Sequence, residues 1–173
     1  MSSLVLLLIF GFIAFVTGKQ RDLELSPIPL RLSERLSNLW EVAHQGMREN
    51  RLLRAEKALL TILNIDSKNA AAYNRLGILY AKQKEYKDAI DCFEVASSIE
   101  PSASSLHNLG LIYYETEHYE KAGTAFEQAL KLEDQLAARH IALAKVNEKL
   151  GNANMMIKSL EHAVELEPTR ESL

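Results

Sequence analysis

Ala70–Ser102 reads AAAYNRLGILYAKQKEYKDAIDCFEVASSIEPS, and the stretch that follows, Ala103–Leu136, reads ASSLHNLGLIYYETEHYEKAGTAFEQALKLEDQL. Laid over one another, Tyr73, Leu76, Gly77, Tyr80, Tyr86, Ala89, Phe93 and Ala96 fall on Leu106, Leu109, Gly110, Tyr113, Tyr119, Ala122, Phe126 and Ala129. Two fainter copies flank the pair. Leu36–Asn69 carries Leu39, Val42, Ala43, Leu52, Ala55, Leu59 and Ile62, and Ala137–Arg170 carries His140, Leu143, Ala144, Leu160, Ala163 and Leu166. A period of this length marks an array of repeated units and decides the fold before any single residue is read.

Within each copy the apolar residues recur at spacings of three and four, which is the signature of amphipathic helices. Each copy holds two such runs. Polar trios part them at Glu49-Asn50-Arg51, Gln83-Lys84-Glu85 and Thr116-Glu117-His118, and Leu150-Gly151-Asn152 does so in the last copy. Gly151 suits a helix C-terminus. Small residues (Ala43, Gly77, Gly110, Ala144) line one face of the first helix and Ala55, Ala89 and Ala122 the facing stripe of the second, so the two helices of a copy pack closely. Pro101 and Pro168 end helices, because proline lacks a donor and disfavours helix in the residue before it.

The pattern resembles the tetratricopeptide repeat family. The second and third copies match nearly every signature position, whereas the outer two depart. Gly46 and Asn147 replace the first tyrosine, Ala153 the second, and Met156 the small residue of the second helix. The resemblance implies an all-α fold, a right-handed α-solenoid of four helical hairpins over residues 36–170 with repeats at 36–69, 70–102, 103–136 and 137–170. One apolar N-terminal helix is expected to precede it.

That N-terminal segment, Leu4 to Thr17, is uncharged and largely apolar. As a helix of about 1.5 Å per residue it falls just short of a bilayer's hydrocarbon core. Two readings stay open. A cleaved export signal has a candidate site at Val16-Thr17-Gly18 but lacks a basic n-region. A transmembrane anchor over residues 1–18 fits the flanks better, since Lys19, Arg21, Arg31 and Arg35 all follow the apolar run and would keep the repeats cytoplasmic. Residues 19–35 read as a linker, because Pro27 and Pro29 bar a continuous helix there, and Ser33 reads as the N-cap of the first repeat helix.

Composition excludes several classes. At 173 residues and 47% hydrophobic content the chain is sized for one folded domain. A net charge of −3 leaves no basic footprint for nucleic acid. The single cysteine, Cys92, reads as a small core residue, and no disulfide framework exists. There is no phosphate loop and no paired-cysteine metal motif. His107 and His140 come from successive first helices, but their positions in the copies differ by one, which turns the rings apart. Glu115, Glu117 and Glu120 read as a solvated face rather than an acid–base pair. No catalytic group, cofactor or metal site is expected, and an enzyme is not the reading.

The chemistry of a helical solenoid lies in the concave face lined by its first helices. The resemblance places groove residues at the second, fifth, ninth and twelfth positions of each copy. Among them Trp40, His44, Asn74, Ile78, His107, Leu111, Tyr114, Ile141 and Lys145 form the expected partner-binding groove. Tyr114 is expected in the groove because Tyr113 already fills the core position. One subclass of the family grips a C-terminal carboxylate with lysine and asparagine in its first copy. Trp40 and His44 stand at those positions here, so that activity is read as absent. What remains is an apolar-centred groove for a protein partner, taken as an extended peptide or a helix. Met155, Met156, Ile157, Leu160 and Val164 in the last hairpin leave apolar surface uncovered, which points to a partner or a second copy of the chain. Together these readings describe a single-pass, membrane-anchored adaptor or scaffold facing the cytoplasm and tethered through residues 4–17. Small anchored members of the family help assemble membrane complexes, and the layout implies a similar role. The alternative is an exported binding protein released by signal cleavage.

Overall fold

The computed structural model describes residues 28–167. These form eight α-helices with no strand among the described residues: α1 (Ile28–Arg48), α2 (Leu52–Ile65), α3 (Ala70–Gln83), α4 (Tyr86–Ile99), α5 (Ala103–Glu115), α6 (Tyr119–Leu132), α7 (Ala137–Lys149) and α8 (Ala153–Leu166). The chain divides into two compact units, residues 1–38 and 39–173. The described part of the first is the opening stretch of α1. The apolar segment 4–17 and Pro168 lie outside the described residues. Among those described, no helix is long and apolar enough to cross a membrane.

The first helix begins eight residues earlier than the repeat pattern predicts. Pro29 stands in its first turn, where a residue without an N–H costs nothing, since those donors have no intrahelical partner anyway. Ser33 is therefore not an N-cap. It lies inside the helix and its Oγ donates to the Leu30 carbonyl at 2.8 Å.

The second unit is a series of helical hairpins. α3 pairs with α4, α5 with α6 and α7 with α8, and each second helix also lies against the first helix of the next hairpin. Close approach depends on the small residues. An added Cβ at Gly77 would lie 2.7 Å from Phe93 Cε1, one at Gly110 2.7 Å from Phe126 Cε1, and one at Gly46 3.1 Å from Ala55 Cβ. Phe93 and Phe126 are 1% exposed and anchor a core shared by Leu109, Ile112, Tyr113, Leu143 and Val146. Burying each such ring stabilises the fold by roughly 1.5–3 kcal/mol. Tyrosine hydroxyls tie neighbouring hairpins. Tyr80 donates to Glu56 at 3.0 Å and Tyr113 to Glu94 at 2.5 Å. Burial first, and then these carboxylates, push both phenols up to about 12.

All four hairpin turns share one construction. Asn50, Lys84, Glu117 and Gly151 adopt positive φ (56°, 64°, 62° and 72°). The amide of the following residue then reaches back five residues: Arg51 to Gly46, Glu85 to Tyr80, His118 to Tyr113 and Asn152 to Asn147, at 2.7–2.9 Å. This is the 6→1 bond of a Schellman C-cap, and it satisfies a carbonyl left over at each helix end. Between hairpins, Asn69 and Ser102 cap α3 and α5 by accepting from Ala72 N and Ser105 N. Cys92 is half-buried, and burial followed by Asp88 and Asp91 pushes its thiol up to about 11, so it stays protonated at neutral pH.

Candidate functional site: a cleft between two first helices

On α5, His107, Leu111 and Tyr114 follow one another at i, i+4 and i+7 and so share a stripe. On α7, Ala138, Ile141 and Lys145 share a stripe at i, i+3 and i+7. The two stripes face each other across a cleft of about 310 Å3, with Phe126 of α6 and Ala142 at its floor and Glu115 at its edge. Leu111 and Ile141 are 41% and 40% exposed, which is high for large apolar side chains on opposing walls. The Tyr114 ring meets Tyr119 edge-on at 5.5 Å, which fixes one side of the mouth, while Tyr113 is buried as expected.

His107 has the least ordinary environment. Its ring lies 5.3 Å from the Phe126 ring. Burial first, and then the charge of Arg139, hold its pKa below the usual histidine value, so the imidazole is neutral at neutral pH. Its Nδ1 is buried and has no hydrogen-bond partner. A buried polar atom left unpaired is costly, so it is a ready contact for a polar group entering the cleft. Arg139, 5% exposed, is held by Glu133, whose Oε2 lies 2.8 Å from Nη2 and whose carbonyl accepts from Nη1 at 3.1 Å.

Five of the nine expected groove residues (His107, Leu111, Tyr114, Ile141 and Lys145) thus meet in one cleft. His44 and Ile78 line a second hollow, of about 390 Å3, between α1 and α3, together with Met47, Arg48, Arg75 and Lys82. The three cations there escaped the sequence reading because they stand one position beyond the groove register. Their shared spacing on α1 and α3 was the available signal. Asn74 is drawn away from both hollows. Its Oδ1 accepts from Asn108 Nδ2 at 3.4 Å, and it lines a small recess beside Glu100, Ser102 and Ser105. Trp40 lines neither hollow; its ring packs on His44 at 5.8 Å. His107 packs on Phe126, whereas the His140 ring lies tilted against His162 at 5.5 Å. Among the described residues no three histidine, cysteine or carboxylate side chains are grouped to hold a metal ion. A further hollow, of about 770 Å3, lies outside the groove, against the first hairpin.

Tetratricopeptide repeat models match residues 70–102, 103–136 and 137–170. No curated protein matches the chain. Among solved structures, MamA from Desulfovibrio magneticus is similar at 23% identity and a TM-score of 0.71, over 79% of this chain and 78% of that one. YrrB, described as a tetratricopeptide repeat protein with an unusual peptide-binding site, is similar at 22% identity and a TM-score of 0.67, over 74% of this chain and 66% of that one. An O-GlcNAc transferase from Thermobaculum terrenum is similar at 26% identity and a TM-score of 0.62, over 66% of this chain but only 22% of the transferase.

Proposed function

Because the chain belongs to the tetratricopeptide repeat family, we propose that it is a protein-interaction scaffold whose ligand, an extended peptide or a docked helix, anchors in the α5–α7 cleft. The observation that carries this reading is the pair of exposed walls, Leu111 and Ile141, closing on the Phe126 floor beside Tyr114. At about 310 Å3 the cleft sits at the small end of ligand pockets, a size for one or two side chains of a larger partner. An apolar side chain entering it displaces water from both walls. His107 Nδ1 and the Lys145 ammonium then take polar groups of the ligand backbone or flanking residues. Aromatic and aliphatic anchors of this kind concentrate binding energy because they bury much area while freezing few torsions. The peptide-binding site of YrrB supports a peptide as the ligand class.

In this reading residues 4–17 tether the array to a membrane, and Lys19, Arg21, Arg31 and Arg35 hold it on the cytoplasmic side. The ligand is then a segment of a membrane-associated partner, and the scaffold serves assembly of a membrane complex. Crosslinking and capture from membranes should show partners retained by the wild type and lost with Leu111→Ala/Tyr114→Ala. Identical captured sets would remove the cleft from the account. The mass of protein in the membrane fraction tests the tether: an intact N-terminus is expected, and a chain starting near Lys19 would point to export instead.

A further inference from the structure

Inside the array the same joint recurs: α2 lies on α3, α4 on α5 and α6 on α7. At the last of these an added Cβ on Gly123 would reach Val146 Cγ1 at 3.4 Å. α8 is the second helix of the last hairpin, and among the described residues no following helix covers it. Ile157, Leu160 and Val164 occupy the positions held in α6 by Gly123, Phe126 and Leu130. They are 50%, 42% and 61% exposed, against 1% for Phe126. At the other end of the array no second helix precedes α1 among the described residues. There the 770 Å3 hollow opens against α1 and α2, lined by Leu39, Val42, Leu53 and Ala58 and rimmed by Arg51, Arg54 and Lys57.

We propose that α8 of one copy seats in the α1–α2 hollow of a second copy, so that the exposed stripe at one end of the array meets the apolar hollow at the other end of its neighbour. Charge selects this pairing over the symmetrical ones. The lining of the hollow carries three cations and no carboxylate, although Arg51 also meets Glu49 at 3.2 Å. On α8 the apolar stripe is flanked by Glu161 and Glu165, both exposed, with Lys158 the helix's one basic residue besides His162, which lies 3.4 Å from Glu165. Two α8 faces brought together would oppose their carboxylates, and two hollows would oppose their arginines; only the head-to-tail arrangement matches unlike charges. Such a contact is heterologous, so it does not close on itself at two copies and leaves one free seat and one free α8 at the ends. Gln45 holds the place of Leu79, Ile112 and Val146 and donates to Glu49 at 2.8 Å. The nearest copy of the internal contact is therefore polar, and the joint is weaker than those within the chain, with a dependence on concentration and salt.

Sedimentation of the full chain in mild detergent, which occupies the apolar stretch 4–17, reads the assembly directly. The wild type should gain mass with concentration beyond a dimer and lose it as salt rises. Ile157→Glu/Val164→Glu, with the seat intact, and Leu53→Glu/Arg54→Glu, with α8 intact, alter exposed residues and should each sediment as monomers with unchanged helicity by circular dichroism. Mixed in equal amounts, the two variants should form a dimer and stop there, because only one intact seat and one intact α8 remain to meet. A wild type that stays monomeric, variants that still associate, or a mixture that stays monomeric would each overturn the proposal.

Discussion

Gly77 and Phe93 offer the sharpest test of how the hairpins pack. An added Cβ at Gly77 would meet Phe93 Cε1, Cδ1 and Cζ at 2.7–2.8 Å, well inside the roughly 3.5–4.0 Å at which carbon atoms rest. The ring is 1% exposed, so it has nowhere to swing. Gly110 and Phe126 repeat the arrangement, with contacts of 2.7–2.9 Å. In the outer copies the same two positions hold Ala43 with Leu59 and Ala144 with Leu160. The chain thus contains two solutions to one packing problem, glycine under a ring and alanine under a branched aliphatic. Gly77→Ala gains about 1 kcal/mol of helix propensity but overpacks by about 2–3 kcal/mol, a net loss of about 1–2 kcal/mol. Phe93→Leu leaves space over the glycine and loses a similar amount. The double variant recreates the outer-copy pair and keeps the propensity gain, so it should fall within about 0.5 kcal/mol of the wild type. The implied coupling, the two single losses summed less that of the double variant, is about 2–4 kcal/mol, at the upper end of the range of about 0.5–3 kcal/mol seen for residues in contact. Urea unfolding followed by circular dichroism reads all four proteins. The m-value must stay constant for the comparison to hold, since repeat arrays can lose two-state behaviour. If the double variant is as unstable as the two single losses added together, the glycine is not there to admit the ring.

The remaining predictions concern the turns and the cleft histidine. Lys84 and Glu117 adopt φ of 64° and 62°, where Gly151 stands in the last hairpin at 72°; Lys84→Gly and Glu117→Gly should each stabilise by about 0.5–1 kcal/mol, and Gly151→Ala should destabilise by about 1 kcal/mol, because a Cβ is disfavoured in that region. Thermal melts that move in the opposite sense would contradict the C-cap description. For His107, burial and then Arg139 lower the folded-state pKa, so below the unfolded value of about 6.5 the unfolded chain binds the proton more readily. Stability from this residue is complete above that value and is lost as pH falls through the window down to the depressed folded pKa. His107→Gln should therefore lose less stability than the wild type between neutral and mildly acid pH, while the two run parallel above. Parallel curves throughout would place His107 in solvent.

The hairpins were legible because their packing rules are local: a small residue, a ring and a tyrosine recur at fixed offsets, and each copy confirms its neighbour. The start of α1 was not, because the prolines read as helix-breaking are tolerated in a first turn, and only the backbone shows that Pro29 stands in one. That the expected site residues fall on first helices was legible for the same reason as the fold. Which residues share a hollow was not, since that depends on side-chain reach between copies. Asn74 and Asn108 join across α3 and α5, and Asn74 lines a small recess there rather than either hollow. Trp40 turns onto His44. Arg48, Arg75 and Lys82 enter a hollow from positions that a groove pattern skips.

Fold and site meet in one side chain. Phe126 fills the space over Gly110, floors the α5–α7 cleft and supports the His107 ring. An added Cβ at position 110 would meet that ring at 2.7–2.9 Å, and the same ring lines the cleft. Phe93, its counterpart in the preceding hairpin, lines none of the hollows described above. The glycine that allows the third copy to pack therefore also sets the depth of the cleft, whereas the glycine of the second copy serves packing alone. A substitution at Gly110 mixes stability with ligand access. One at Gly77 does not, which is why the packing argument belongs at Gly77 and the binding argument on the walls at Leu111 and Tyr114.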